Sequence, residues 1–454
     1  MMPLQLQLED GRQLHCQRLV RLLPGRREVW QGELEGRPVF VKRYLSAKRA
    51  QRHWRRELEG IRAFQQHGIL TPELLYAGSE QMHNQPVIVS AQIDNPVALN
   101  VAWDVAGAHH RRQLLRDMVL LLAGHHRAGI CQGDLHLGNF VLSGEKIFSL
   151  DGDGVKWLPA EDERAASLDN LALFIAQLPP EWEAQIPALL VHYQHGRGWE
   201  QPPDGDDLRR RVSSARERRW RNWRGKLFRE CSAFICKKSR GYYAVIDRES
   251  DSPELETLLT DPDASFPGRE QALKNGNTCT VWAAPAGALK LVIKRYNVKG
   301  LLHGLKLSAR PGRAMSSWES AHRLLFYGIA TPRPVAIIKI RRGPLQPVAY
   351  FLAEAVDGVD ALSWFRQPAV SMDEKAEMAK KIVALFAQLE AQRISHGDLK
   401  ATNILIADDK PLLIDLDAMQ QHGDEAAFRK AWQRDQQRFM RNWQDAPEIE
   451  QLFY

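Results

Sequence analysis

The stretch CQGDLHLGNFVLSGEKIFSLDGDG (131–154) returns further along the chain, without gaps, as SHGDLKATNILIADDKPLLIDLDAM (395–419). Gly133, Asp134, Leu135, Asn139, Asp151 and Asp153 meet identical residues in the second copy, and Leu142 and Leu150 meet isoleucines. Upstream of both copies, HGILTPELL (67–75) matches YGIATPRPV (327–335), and VFVKRY (39–44) matches LVIKRY (291–296). Three landmarks in the same order at so long a spacing make the chain an internal duplication rather than an array of short repeats.

Between the landmarks the hydrophobic period changes the same way in both halves. Short β-branched runs such as VFVKRY and PVIVSAQI come first, and long helical stretches such as RRQLLRDMVLLLAGHHRAG follow. In the second half PVAYFLAEAV is the strand-like run and MDEKAEMAKKIVALFAQLEAQRI the amphipathic helix. The reading is two tandem α+β domains, which fits 454 residues at roughly 100 to 200 per domain. Residues 209–229, RRRVSSARERRWRNWRGKLFR, hold ten basic residues against one Glu and read as the helical, cationic end of the first domain. YYAVI after Gly241 reads as a fresh strand, so the seam is expected near Gly241. Domain one then covers 1–240, strand-rich to about 95, and domain two covers 241–454, strand-rich to about 357.

Composition excludes several classes. With 44% apolar and 26% charged residues the chain is globular rather than disordered or fibrous. No run of eighteen apolar residues occurs, and the opening MMPLQLQLEDGR reaches Glu9 and Asp10 before an apolar signal core could form, so a cytoplasmic location is expected. The five cysteines, Cys16, Cys131, Cys231, Cys236 and Cys279, lack C-x-x-C spacing and read as free thiols, not as a disulfide framework or a closed zinc site. A net charge of +7 suits a phosphate-bearing ligand, nucleic acid or an anionic membrane surface without choosing among them.

An Asp followed five residues later by an Asn carries no information alone. Here each pair sits in G-D-L-x-x-x-N after a helix, precedes an apolar strand, and is followed twelve residues beyond the Asn by an Asp closing a second apolar run. Two short strands then present a carboxylate, an amide and another carboxylate around one cleft, oxygen ligands that suit magnesium. Phosphoryl transfer needs that inventory: a hard cation to neutralise triphosphate charge, a carboxylate to take the hydroxyl proton, and a lysine to clamp the phosphates. Lys42 and Lys294, each inside a β-run, are the lysines. A charge there needs a partner, which RAQRHWRRELEGIRAF (49–64) offers as Glu57 or Glu59 and RAMSSWESAHRLLF (313–326) as Glu319.

This arrangement resembles the protein-kinase-like fold, and specifically the lipopolysaccharide core kinase family, whose members phosphorylate heptose or Kdo sugars. The resemblance rests on HGDLKATNIL with LIDLDAM, QGDLHLGNF with SLDGDG, the G-I-x-T-P strings, and FRKAWQRDQQRFMRNW (428–443), and it covers nearly all of both halves. It implies two tandem kinase-like domains, each with a strand-rich and a helical lobe, using ATP and Mg2+. Asp134 and Asp398 would be the catalytic bases, and Asn139 with Asp151 and Asn403 with Asp415 the magnesium ligands. Lys42 and Lys294 would hold the phosphates, oriented by Glu57 and Glu319, and Lys400 would touch the transferring phosphate. For the first lysine the family pattern favours Glu57 and the register with Glu319 favours Glu59; Glu57 is preferred. The implied acceptor is a lipid-A-linked core sugar at the cytoplasmic face of the inner membrane, with no nucleic acid expected.

Departures matter too. Neither half carries G-x-G-x-x-G before its lysine; GRREVW (25–30) and GNTCTVW (276–282) stand in its place, so cover over the nucleotide is looser or built from side chains. Gln132 stands where the second half has His396, and His136 where it has Lys400, which makes the second half the better equipped on this loop and the first slower or inactive. Trp220 and Trp223 in the cationic stretch suit nucleic-acid contact, docking to anionic lipid headgroups, or packing on the domain. Rival readings are a kinase-like scaffold without turnover and a protein or small-molecule kinase of Rio or aminoglycoside-phosphotransferase type, separated by their acceptors.

Overall fold

The computed structural model describes residues 3–46, 48–276, 278–296, 312–341 and 347–454; Asn277 of the GNTCTVW string lies outside them. The chain is α+β and divides into two compact units, Met1–Glu217 and Arg218–Tyr454.

The first unit opens with strands β1 (Leu4–Gln7), β2 (Gln13–Leu23), β3 (Arg27–Leu34) and β4 (Arg37–Tyr44), then helix α1 (Ala50–Gln66), then β5 (Leu74–Ser79) and β6 (Pro86–Ala91). They form one antiparallel sheet in the order β1-β2-β3-β4-β6-β5. Strand β3, REVWQGEL, alternates half-buried and buried residues, the period-two pattern of a sheet with unequal faces. One face builds an apolar layer from Trp30, Leu34, Val39, Val41, Val87 and Val89. The other face carries Tyr44 and Ile88 and is covered by α1, where Leu58 and Ile61 pack on them. Glu57, Gly60, Ile61 and Phe64 recur on α1 at helical spacing and are all buried. A Cβ on Gly60 would come within 2.1 Å of the Gly152 carbonyl oxygen, so only glycine lets this helix approach the loop that carries Asp151. Helix α2 (Ala108–Arg127) then buries Leu115, Met118, Val119 and Leu122 in a helical core that also takes Leu208, Val212 and Ala215 of α3 (Gly205–Arg224).

The second unit repeats the plan. Strands β7 (Phe234–Ser239), β8 (Tyr242–Asp247), β9 (Lys274–Asn275), β10 (Cys279–Ala286), β11 (Leu289–Tyr296), β12 (Pro334–Arg341) and β13 (Pro347–Glu354) form an antiparallel sheet in the order β7-β8-β12-β13-β11-β10-β9. Helix α4 (Arg313–Phe326) follows β11 as α1 follows β4. Helix α5 (Met372–Ala391) starts at a capping box between Ser371 and Glu374 and buries Met378, Ile382, Leu385 and Leu389 in the helical core. Helix α6 (Glu425–Met440) adds Phe428, Trp432 and Phe439.

The seam expected at Gly241 falls elsewhere. Gly241, with φ at +86°, is the turn of the β7–β8 hairpin, and the two units part inside α3, after Glu217. A composition shift misses such a boundary because the helix continues through it while its buried residues change cores. Trp220 packs on Phe326 and Tyr327, and Trp223 on Phe234 and His322, so both rings anchor the second unit and are not held out for lipid. A ring of this size buries about 150–250 Å2, on the order of 4–6 kcal/mol of apolar transfer. Among the described residues no helix is long and apolar enough to cross a membrane, and all five cysteines are free.

Candidate active site

In the first unit, Lys42 sits mid-sheet on β4, paired in register with Val29 and Ile88. Its ammonium ion-pairs with Glu57 of α1, donates to the Leu150 carbonyl at 3.2 Å and lies 3.7 Å from Asp151. Of the two acidic candidates on α1, Glu57 is fully buried and Glu59 is exposed. Glu57 also accepts the main-chain N–H groups of Gly152 and Asp153, both at 3.2 Å, which ties helix, strand and loop together. Burial pushes its carboxyl up to about 7 against the opposing pull of Lys42. Asp151 goes the other way: burial would raise it, but Lys42, a hydrogen bond with Glu57 and Arg27 outweigh burial and hold it below the usual range. Arg27, at the hairpin turn that stands where a glycine loop is absent, reaches Glu57 at 3.7 Å.

The loop below is built by two short hairpin strands, Phe140–Ser143 and Lys146–Ser149. Asn139 donates its amide to the Asp134 carbonyl at 2.8 Å, and the Leu150 N–H donates to the Asn139 carbonyl at 2.9 Å, which sets Asn139 beside Asp151. The Asp134 carboxylate is 72% exposed, with His136 at 3.9 Å.

The second unit repeats the loop almost bond for bond. Asn403 donates to the Asp398 carbonyl at 2.8 Å, and the Ile414 N–H to the Asn403 carbonyl at 3.0 Å. Asp415 adopts a left-handed conformation, φ +63°, one that Asp tolerates better than most residues with a Cβ. Lys400 lies 3.0 Å from Asp398. His396 is buried and donates its Nε2–H to the Ile414 carbonyl, 3.0 Å away, and burial lowers its pKa. Asp415 is held below its usual range: burial opposes, while Asp417 and Lys294 prevail.

One assignment fails. Glu319 does not meet Lys294; it pairs with Arg323 at 2.7 Å and Arg224 at 2.9 Å. Two residues along a helix is about 200° around it, so the register that equates Glu319 with Glu59 also gives it the wrong face. Counting from the G-I-x-T-P landmarks, Ser317 occupies the place of Glu57. Lys294 instead contacts Asp415 and Asp417.

Several residues escaped the sequence reading. Asp435 of α6 accepts the N–H groups of His396 at 2.6 Å and Gly397 at 3.0 Å, fixing the loop from beneath, and Arg438 holds Asp398 at 2.7 Å. The signal was present: Asp435 is the one acid in the buried row Phe428, Trp432, Asp435, Phe439. In the first unit the loop strand Ile130–Gln132 is held by a neutral amide, Asn170, which donates to the Gln132 carbonyl at 2.7 Å and is itself bonded to His126 at 2.9 Å.

The donor set fits magnesium. In each unit the Asn uses its amide N–H on the loop, leaving an amide oxygen free beside an aspartate, and a hard cation that keeps water and phosphate ligands needs only one or two such protein oxygens. Among the described residues no cluster of three or more His, Cys, Asp or Glu side chains offers an all-protein metal cage.

Duplicated lysine, carboxylate and amide groups on an α+β scaffold are the inventory of a phosphotransferase. A family model described as the lipopolysaccharide kinase (Kdo/WaaP) family matches residues 25–158 and 272–450, one segment in each unit, and the chain belongs to that family. No curated protein matches it.

Proposed function

We propose that the protein transfers the terminal phosphoryl group of ATP to a sugar hydroxyl of the lipopolysaccharide inner core, in tandem kinase-like units. The observation that carries this reading is the convergence, in a chain of this family, of a sheet lysine, an Asp–Asn loop and a second Asp within each unit. Lys42 and Lys294 bind the phosphates; Asp134 and Asp398 take the proton from the acceptor hydroxyl; Asn139 with Asp151, and Asn403 with Asp415, hold Mg2+. The cation, when bound, neutralises charge on the phosphate oxygens. Lys400, beside Asp398, adds positive charge where the phosphoryl group passes. The cationic surface brings the chain to an anionic, lipid-linked acceptor at the cytoplasmic membrane face.

The units are unequally equipped. The first has the lysine paired with a buried helix glutamate but neutral Gln132 and Asn170 under its loop; the second has His396 and Asp435 there but no helix glutamate on its lysine. Asp134→Asn, Asp398→Asn and the double variant, assayed for phosphate incorporation into delipidated core oligosaccharide, separate their contributions. At least one single variant is expected to lower kcat by a hundredfold or more, on the order of a general base's worth. Unchanged incorporation in the double variant would leave a scaffold, and preference for a protein acceptor would replace the sugar.

A further inference from the structure

We propose that Asp417 positions Lys294 in the second unit, in place of the helix glutamate that serves Lys42 in the first. The inference rests on the nucleotide-binding reading above and names the group on which that reading depends in this unit. A buried ammonium needs an anion, and Ser317, at the place of Glu57, is buried with its hydroxyl 2.7 Å from that of Tyr296. Asp417 is only 7% exposed; one of its oxygens contacts the Lys294 ammonium and the other accepts from the Arg313 guanidinium of α4, with Nε at 2.9 Å. It therefore links strand lysine to helix, as Glu57 does from the opposite side. The first unit shows the reverse assignment at the same two positions. There Asp153, the counterpart of Asp417, is taken by His53 at 3.2 Å and Arg56 at 3.1 Å, while Glu57 holds the lysine. Lys294 also contacts one Asp415 oxygen, so Asp417 shares the ammonium with the aspartate read as a cation ligand.

The test uses the full chain carrying Lys42→Ala, so that ATP binding, followed by titration calorimetry with and without Mg2+, reads the second unit. Asp417→Asn is expected to weaken ATP about tenfold in both conditions, the equivalent of one lost charged contact. Asp417→Glu should keep most of the affinity, and Ser317→Glu added to Asp417→Asn should restore part of it by supplying an acid from the helix. A Mg2+-only deficit would make Asp417 a cation ligand and overturn the proposal. So would parental binding by Asp417→Asn where Lys294→Ala has lost it. If Lys294→Ala itself binds ATP as the parent does, the nucleotide reading of this unit fails, and the proposal with it.

Discussion

At the scale of single residues, the buried histidines set the acid limit of the fold. His125 packs against Phe64, neither ring nitrogen has a hydrogen-bond partner among the described residues, and burial lowers its pKa to about 3; His126 and His322 are lowered to about 4 and about 3 for the same reason. A folded-state pKa depressed below the unfolded value means that the folded chain binds fewer protons, so the contribution to stability is present above about pH 6.5 and is lost as pH falls toward 3. Each such histidine tilts the balance by up to about 1.4 kcal/mol per pH unit in that window. Replacing His125→Leu should therefore leave stability at pH 7.5 close to the parent's and reduce the loss on going to pH 5.5 by about 1.4 kcal/mol, read from denaturant midpoints at the two pH values. Equal acid sensitivity in variant and parent would mean that this ring is not held neutral.

At the scale of elements, two contacts decide how the site is held. Alanine favours an isolated helix over glycine by about 1 kcal/mol, yet Gly60→Ala is expected to destabilise, because the added carbon meets main-chain atoms of Gly152 that cannot swing away. A lower melting temperature, with weaker ATP binding in the first unit as α1 retreats, is the expected result. On α6, Asp435→Asn should cost about 1–3 kcal/mol and lower turnover by the second unit, since charged acceptance of loop N–H groups is lost; a chemical-denaturation series and a kcat measurement check it. Much of this was legible. The strands bearing Lys42 and Lys294 and the helix Met372–Ala391 follow from hydrophobic period, and the Asp–Asn–Asp loops from duplication. The partner of Lys294 was not, because gap-free register ranks residue identity above helix face, and the face is what decides contact. Asp435 was missed as one acid in a charged helix, although its place in an apolar row marks it as buried.

For the whole molecule, the position of the boundary has a direct consequence for dissection. A fragment starting at Arg218 keeps Trp220, Leu227 and Phe234 in their cluster with Trp318, whose indole donates to the Leu227 carbonyl at 2.9 Å. A fragment starting at Gly241 lacks β7 and those anchors and leaves Trp318 uncovered. Residues 218–454 are therefore expected to give a soluble, cooperatively melting protein and residues 241–454 an aggregating one, which circular dichroism melts and size-exclusion chromatography would distinguish. Composition suggested the later seam because basic residues run through the helix on both sides of it, and charge does not report which core a helix serves. The unequal equipment of the copies carries one more implication. A graft joining residues 25–95 of the first copy to residues 358–454 of the second would unite in one body the Glu57-held lysine and the carboxylate-braced loop, a combination that neither natural half retains.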